Sequence, residues 1–293
     1  MTSFEASTRS FHVRHATRYA YAERVSLSYH QAMLKPRSTT HQEVHTPYLH
    51  VKPEARTIFD RDDYFGNRVS TFELDAPHAT LEVIGESIIT LEQFATPILA
   101  ASQSLEDVRA AMSRPPDAGS LTASEFVAES RFIPKSPELA AFARPHFPAG
   151  RPYLEGVRDL MRHIFENFRY DPKVTSISTP VSEVLHHKHG VCQDFAHLMI
   201  ACLRSLGGPA RYISGYLVPL PGVVGAQASH AWVSAFCPTL GWVDFDPTND
   251  VIPSNGHITL AWGRDFADVS PLRGVIFGGG DHTVDVEVKI RPA

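Results

Sequence analysis

The spacing between apolar residues changes twice along this chain, and those changes restrict what it can fold into. From Ser10 to about Glu92 the period is two. The runs Phe11-His12-Val13-Arg14-His15, Val25-Ser26-Leu27-Ser28-Tyr29-His30, Tyr48-Leu49-His50-Val51 and Thr71-Phe72-Glu73-Leu74 alternate apolar with polar side chains, as half-buried strands do. Turn-prone stretches such as Lys35-Pro36-Arg37-Ser38 and Phe65-Gly66-Asn67 separate them. Short strands in this arrangement predict an N-terminal β-sandwich over residues 1–95. Its histidines, His12, His15, His30, His41, His45 and His50, mostly fall within alternating strands and read as polar-face residues rather than ligands.

Beyond Thr96 the period becomes three or four, opening a helical linker region over 96–152. The stretch Arg114-Pro115-Pro116-Asp117-Ala118-Gly119 is the best linker, and Ser136-Pro137-Glu138 is a helix start with proline at the first helical position. Leu154, Val157, Leu160, Met161, Ile164, Phe165 and Phe168 then fall on one face of an amphipathic helix that stops near Tyr170-Asp171-Pro172. A second helical start, Ser182-Glu183-Val184-Leu185, leads to Gly190-Val191-Cys192-Gln193-Asp194-Phe195-Ala196-His197. After the helix stop Gly207-Gly208 the period returns to two, through Tyr212–Leu217, Ser229–Phe236, Trp242–Asp246 and a late strand over Asp281–Ile290.

Charge narrows the partners. The 27 Lys and Arg against 32 Asp and Glu leave no basic excess, which argues against nucleic acid and against anionic membranes. No apolar run approaches the roughly 20 residues of a membrane span, and no secretory signal is visible, so a soluble, cytoplasmic protein is expected. Three cysteines, Cys192, Cys202 and Cys237, make an odd count that suits a reducing compartment.

Cys192 stands at the first turn of its helix, among unpaired amide N–H groups at the positive end of the helix dipole, a setting that favours a thiolate. By itself the position is equally compatible with a small buried hydrophobe. The following hairpin adds geometry. If Phe236 pairs with Trp242 across Cys237–Gly241, His230 and Asp246 share a face as diagonal or direct neighbours, close enough for an imidazole–carboxylate hydrogen bond. Asp244 shares that face but lies further from His230. Nucleophile, general base and orienting group are then all present. Trp232 and Trp242 fall on the same face, where they either wall a cleft or pack beneath the hairpin. A competing arrangement is a zinc site from His186, His187, His189, Cys192 and His197; its spacing matches no standard zinc pattern, and Cys192 and His197 point to different helix faces. No metal and no cofactor are expected.

The blocks Gly190–His197, Ser229-His230-Ala231-Trp232-Val233 and Gly241-Trp242-Val243-Asp244-Phe245-Asp246-Pro247-Thr248-Asn249 resemble the three signature blocks of the transglutaminase-like superfamily, in particular its bacterial cysteine protease branch. The first ninety residues resemble the β-rich domain that accompanies that branch. The resemblance implies an α+β fold in which residues 153–293 form a papain-like core ending in a C-terminal strand, with Cys192, His230 and Asp246 at the positions of the family triad. It implies acyl transfer on amide bonds of a peptide or protein substrate through a Cys192 thioester. Hydrolysis is the favoured outcome; transfer to an amine, or a non-catalytic peptide-binding module, are the alternatives. The Cys192 backbone N–H is the first oxyanion donor, and Gln193 or Tyr170 is nominated for the second.

Overall fold

The computed structural model describes residues 7–172, 179–219, 224–225 and 228–293. The N-terminal region forms strands β1 (Thr8–Ala32), β2 (Gln42–Lys52), β3 (Ile58–Asp62), β4 (Arg68–Leu74) and β5 (His78–Glu92), hydrogen-bonded in the order β2-β5-β1-β4-β3. The runs around Phe11 and Val25, expected as separate strands, are one 25-residue strand. Its partner changes along its length: residues 8–20 face β5 and residues 28–32 face β4. Between them, Ala22 and Glu23 donate their N–H groups to Asp281 and Gly279 carbonyls, and the Arg24 carbonyl accepts Gly279 N–H, so the strand runs on through the change of partner.

The helical region contains α1 (Leu105–Ser113), α2 (Ala118–Ser124), α3 (Pro137–Ala143) and α4 (Tyr153–Asn167). Of the expected linker 114–119, residues 114–117 separate α1 from α2 and Ala118 and Gly119 open α2, with Asp117 capping it through Ser120 N–H at 2.7 Å. Ser136 caps α3 in the same way, accepting from Leu139 N–H at 3.1 Å. A short strand β6 (Arg169–Tyr170), helix α5 (Val181–His187) and β7 (His189–Gly190) lead into α6 (Cys192–Ser205). Gly207, at φ +83°, ends α6, and Gly208 N–H returns to the Leu203 carbonyl at 2.9 Å.

Strands β8 (Ala210–Leu217), β9 (His230–Cys237), β10 (Gly241–Phe245) and β11 (His257–Gly263) form a second antiparallel sheet, ordered β10-β9-β8-β11. A short helix α7 (Phe266–Val269) follows, and then β12 (Leu272–Gly278) and β13 (His282–Pro292). The last two strands pair with β1, not with the second sheet. Residues 272–292, which the sequence groups with the core, therefore complete the first sheet. Alternation along β13 reports a strand but carries no information about a partner more than 260 residues away in the chain. Gly278, Gly279 and Gly280, all at positive φ, make the turn between them.

Helix α6 lies at the centre of the core. From Asp194 to Arg204 all its residues are buried, packed with Leu154, Val157, Leu160 and Met161 of α4 and with Ala231, Val233, Ala235, Val243 and Phe245 from one face of the second sheet. Each large apolar side chain so buried contributes about 1.5–3 kcal/mol. Arg204, fully buried, donates to the carbonyls of Ala128, Ala210 and Arg264 at 2.7–3.1 Å. The two sheets meet through Phe11, Val13, Ile89 and Leu91 against Tyr216, Val218, Ile258 and Leu260. His15 lies in this contact with its Nδ1 3.0 Å from the Tyr216 hydroxyl, and burial pushes its pKa down to about 4. His15 and His30 are therefore not on the polar face, as the alternation suggested, but buried; the second sheet covers His15, and His30 stacks on Phe72 at 5.0 Å. Among the described residues, no helix is long and apolar enough to cross a membrane.

Candidate active site

The hairpin of β9 and β10 pairs Trp242 with Phe236 and Asp244 with Ser234. Continuing that register past Phe245 makes Asp246 a diagonal neighbour of His230, and the His230 Nε2 to Asp246 Oδ2 distance is 2.9 Å. Both side chains are completely buried. Three further donors reach the same carboxylate. Asn249 Nδ2 and His257 Nε2 approach Oδ2 at 2.8 and 3.0 Å, and Thr248 N–H approaches Oδ1 at 2.9 Å. Pro247 ends the strand, so the chain turns back and brings Thr248 and Asn249 around the carboxylate.

Electrostatics follow from that enclosure. Burial favours neutral imidazole, but the Asp246 carboxylate and then the Cys192 sulfur outweigh it and raise His230 to about 10. Burial likewise opposes ionisation of Asp246, yet His230 and His257 hold it far below the usual carboxylate range. With Nε2 committed to Asp246, Nδ1 is the ring nitrogen left for a proton exchange with Cys192. Gly225 passes beside it: a Cβ there would stand 2.9 Å from His230 Nδ1.

Cys192 is the first residue of α6 and half-buried. The N-terminus of that helix is fixed by Asp194, which accepts Val191 N–H at 2.8 Å. Gly190 makes room for this carboxylate, since a Cβ there would come within 2.7 Å of Asp194 Oδ2. Tyr170, half-buried, has its pKa raised by burial and then by Cys192; β6 and β7 pair Tyr170 with Gly190, two residues before the cysteine. Gln193 is half-buried on the first turn.

The two tryptophans separate. Trp232 has no exposed surface and lies beneath the site, its indole N–H donating to Asp244 Oδ2 at 3.0 Å. Trp242 lies away from Cys192, on the wall of a cavity of about 860 Å³ between the two sheets, where Arg211 stacks on it at 4.2 Å. The residues weighed for a rival zinc site part into two places. His186, His187 and His189 stack edge-on or face-on with ring centroids 5.0 and 5.7 Å apart. His197 is buried in the core and accepts Phe266 N–H at 3.2 Å. Among the described residues, one trio places its ligand atoms within 4.8 Å, namely His230, Asp246 and His257, and its N···O distances are those of hydrogen bonds.

Sequence reasoning missed His257 and Asn249. Asn249 had a local signal, since an Asp-Pro-Thr-Asn turn folds an amide back onto its own aspartate. His257 had none, because β11 joins the sheet beside β8, on the far side of β9 from β10.

Residues 141–247 match the model of the transglutaminase-like superfamily, and residues 11–90 match that of the bacterial transglutaminase-like N-terminal region. An uncharacterised protein of Mycobacterium tuberculosis, Rv2569c, is 36% identical over 98% of this chain and 94% of its own. A protein-glutamine gamma-glutamyltransferase of Pseudomonas aeruginosa is 29% identical across 32% of this chain and 16% of its own. In structure, a candidate cysteine protease from Cytophaga hutchinsonii aligns with a TM-score of 0.79 at 22% identity, covering 98% of this chain and 91% of that one. The chain belongs to the transglutaminase-like superfamily, with the α+β fold of that class and its bacterial N-terminal region.

Proposed function

We propose that the protein is a thiol-dependent enzyme that cleaves amide bonds of peptides or proteins, with Cys192 as nucleophile, His230 as acid–base and Asp246 as the orienting carboxylate. The buried His230–Asp246 pair, charged on both sides and acted on by the Cys192 sulfur, carries this reading. An imidazolium so enclosed is an uncommon and costly arrangement unless a second anion, the thiolate, uses it.

The Cys192 thiolate attacks the amide carbonyl, and the Cys192 backbone N–H, unpaired at a helix N-terminus, receives the oxyanion. His230 Nδ1 gives its proton to the leaving nitrogen, the C–N bond breaks and a thioester remains. Water then attacks the thioester with His230 taking its proton, and the acid leaves as the thiolate returns. Asp246 holds Nε2–H throughout and accepts no proton. Of the two residues nominated as second oxyanion donor, Tyr170 is preferred over Gln193 because the β6–β7 pairing sets it opposite Gly190, two residues before Cys192. Hydrolysis is preferred to transfer because water is always present. Three cysteines without a disulfide suit a reducing, cytoplasmic setting for this chemistry.

The test is casein incubated with the protein, with and without a fluorescent primary amine, and products read by mass spectrometry. New peptide termini are the expected result, amine incorporation would mean transfer, and Cys192→Ala should abolish either. Persistence of full activity in Cys192→Ala refutes the nucleophile. Iodoacetamide gives a substrate-free check. Cys192 should alkylate much faster than Cys202, whose thiol is fully buried and pushed up by that burial. Equal slow rates and no turnover would leave a peptide-binding module.

A further inference from the structure

Two imidazoles share one oxygen. His230 Nε2 and His257 Nε2 lie 2.9 and 3.0 Å from Asp246 Oδ2, and Asp246 is held ionised by both. An ionised carboxylate can only accept, so each Nε2 carries its proton and donates it to the same atom. His257 is not a remote surface residue that strays inward: its side chain is 11% exposed, and it approaches from β11 over the place where Gly215 of β8 has no side chain. A Cβ on Gly215 would stand 2.1 Å from the Ile258 carbonyl and 2.5 Å from the Trp232 ring. That gap lets Trp232 lie flat across the sheet, 5.0 Å from His257 and 6.2 Å from His230 between ring centroids. The indole thus packs against both imidazoles, and its own N–H is anchored on Asp244.

We propose that His257 is a positioning residue of the Cys192–His230–Asp246 site, an inference that rests on the acyl-transfer reading above. It has two effects. It fixes the rotation of the Asp246 carboxylate, and through it the aim of His230. Its hydrogen bond also draws part of the carboxylate charge away from His230, which lowers the basicity of that imidazole and keeps its proton available to a leaving amine. Around His257 the titratable groups are Asp246 and His230 on the site side, and Asp244, Arg211, His41 and Glu92 on the cavity that its other edge lines. Of these, Asp246 is the group His257 bonds.

The experiment compares wild type, His257→Phe and His257→Gln by NMR titration of the His230 ring, by Cys192 alkylation and by casein cleavage. The Phe variant, which loses the donor, should raise the pH at which His230 releases its proton and lower kcat about tenfold at unchanged KM. The Gln variant, which returns an N–H at similar reach, should restore both. A His230 titration and kcat in the Phe variant that superimpose on wild type would overturn the proposal. Should the Phe variant fail to fold, the wild type decides: two strongly deshielded Nε2–H protons, one from each imidazole, are expected, and absence of the His257 proton overturns the proposal. Failure of the acyl-transfer reading looks different, since Cys192 would then alkylate no faster than Cys202 in the wild type itself.

Discussion

Replacing Asp246 by asparagine changes one atom and leaves the volume of the site intact. Four donors converge on the carboxylate, three on Oδ2 at 2.8–3.0 Å and one on Oδ1 at 2.9 Å. An amide has a single acceptor oxygen. If that oxygen keeps Thr248 N–H, the new NH2 group confronts three N–H donors; if it turns inward, it confronts Thr248. Each buried donor left without an acceptor costs roughly 1–3 kcal/mol, and relief of the buried negative charge offsets part of the total, so a net loss of about 2–4 kcal/mol is expected. The effect on chemistry is larger. His230 can satisfy an amide NH2 only by accepting at Nε2, which moves its proton to Nδ1, the atom that must take the proton of the thiol. A wrong tautomer of this kind costs about 10⁴-fold in kcat in the serine-protease triad, where the same substitution leaves the geometry intact. Alkylation of Cys192 by iodoacetamide across pH measures the effect without a substrate. In Asp246→Asn the onset of fast alkylation should move to higher pH, and casein cleavage should fall by about 10³–10⁴-fold. Wild-type alkylation at every pH, with the protein folded, would refute the claim that Asp246 sustains the His230 charge.

The site also gives stability a pH dependence. His230 is raised from its ordinary 6.5 to about 10, so its contribution is complete below 6.5 and is lost as pH rises towards 10; Asp246 is depressed from 3.8, so its contribution is lost as pH falls below that value. Urea midpoints should therefore be highest between these limits and decline on the alkaline side, and a decline that survives unchanged in His230→Gln would assign it to other groups. Arg204→Leu strips donors from the Ala128, Ala210 and Arg264 carbonyls and should lower unfolding stability by about 3–5 kcal/mol, read by denaturant melts. Tyr170→Phe should reduce kcat about 10²–10³-fold with Cys192 alkylation unchanged if its hydroxyl completes the oxyanion site; a larger effect from Gln193→Ala would reassign that role.

Much of the site was legible because its parts are local. A cysteine after Gly190 and before an apolar stripe is at a helix start, and a turn of fixed length between Phe236 and Trp242 settles the parity that brings His230 to Asp246. The fold was less legible where contacts are distant. The polar alternation that put His15 and His30 on an outer face could not show that the second sheet covers His15 or that His30 turns onto Phe72. The fully buried Trp232 could not be told from a cleft wall, because strand parity assigns a face but not what lies over it.

The amino-acid sequence alone determined the shift from strand to helix and back to strand, the helix start at Cys192 and the strand parity that puts His230 and Asp246 on one face. These depend on periodicity, turn length and side-chain type, all of which act within a few residues. Tertiary structure alone decided that β12 and β13 return to β1, that Gly215 opens a space for Trp232, and that His257 reaches Asp246. Those contacts join residues separated by tens to hundreds of positions, and packing between elements selects them, because only there does burial leave a polar atom in need of a partner.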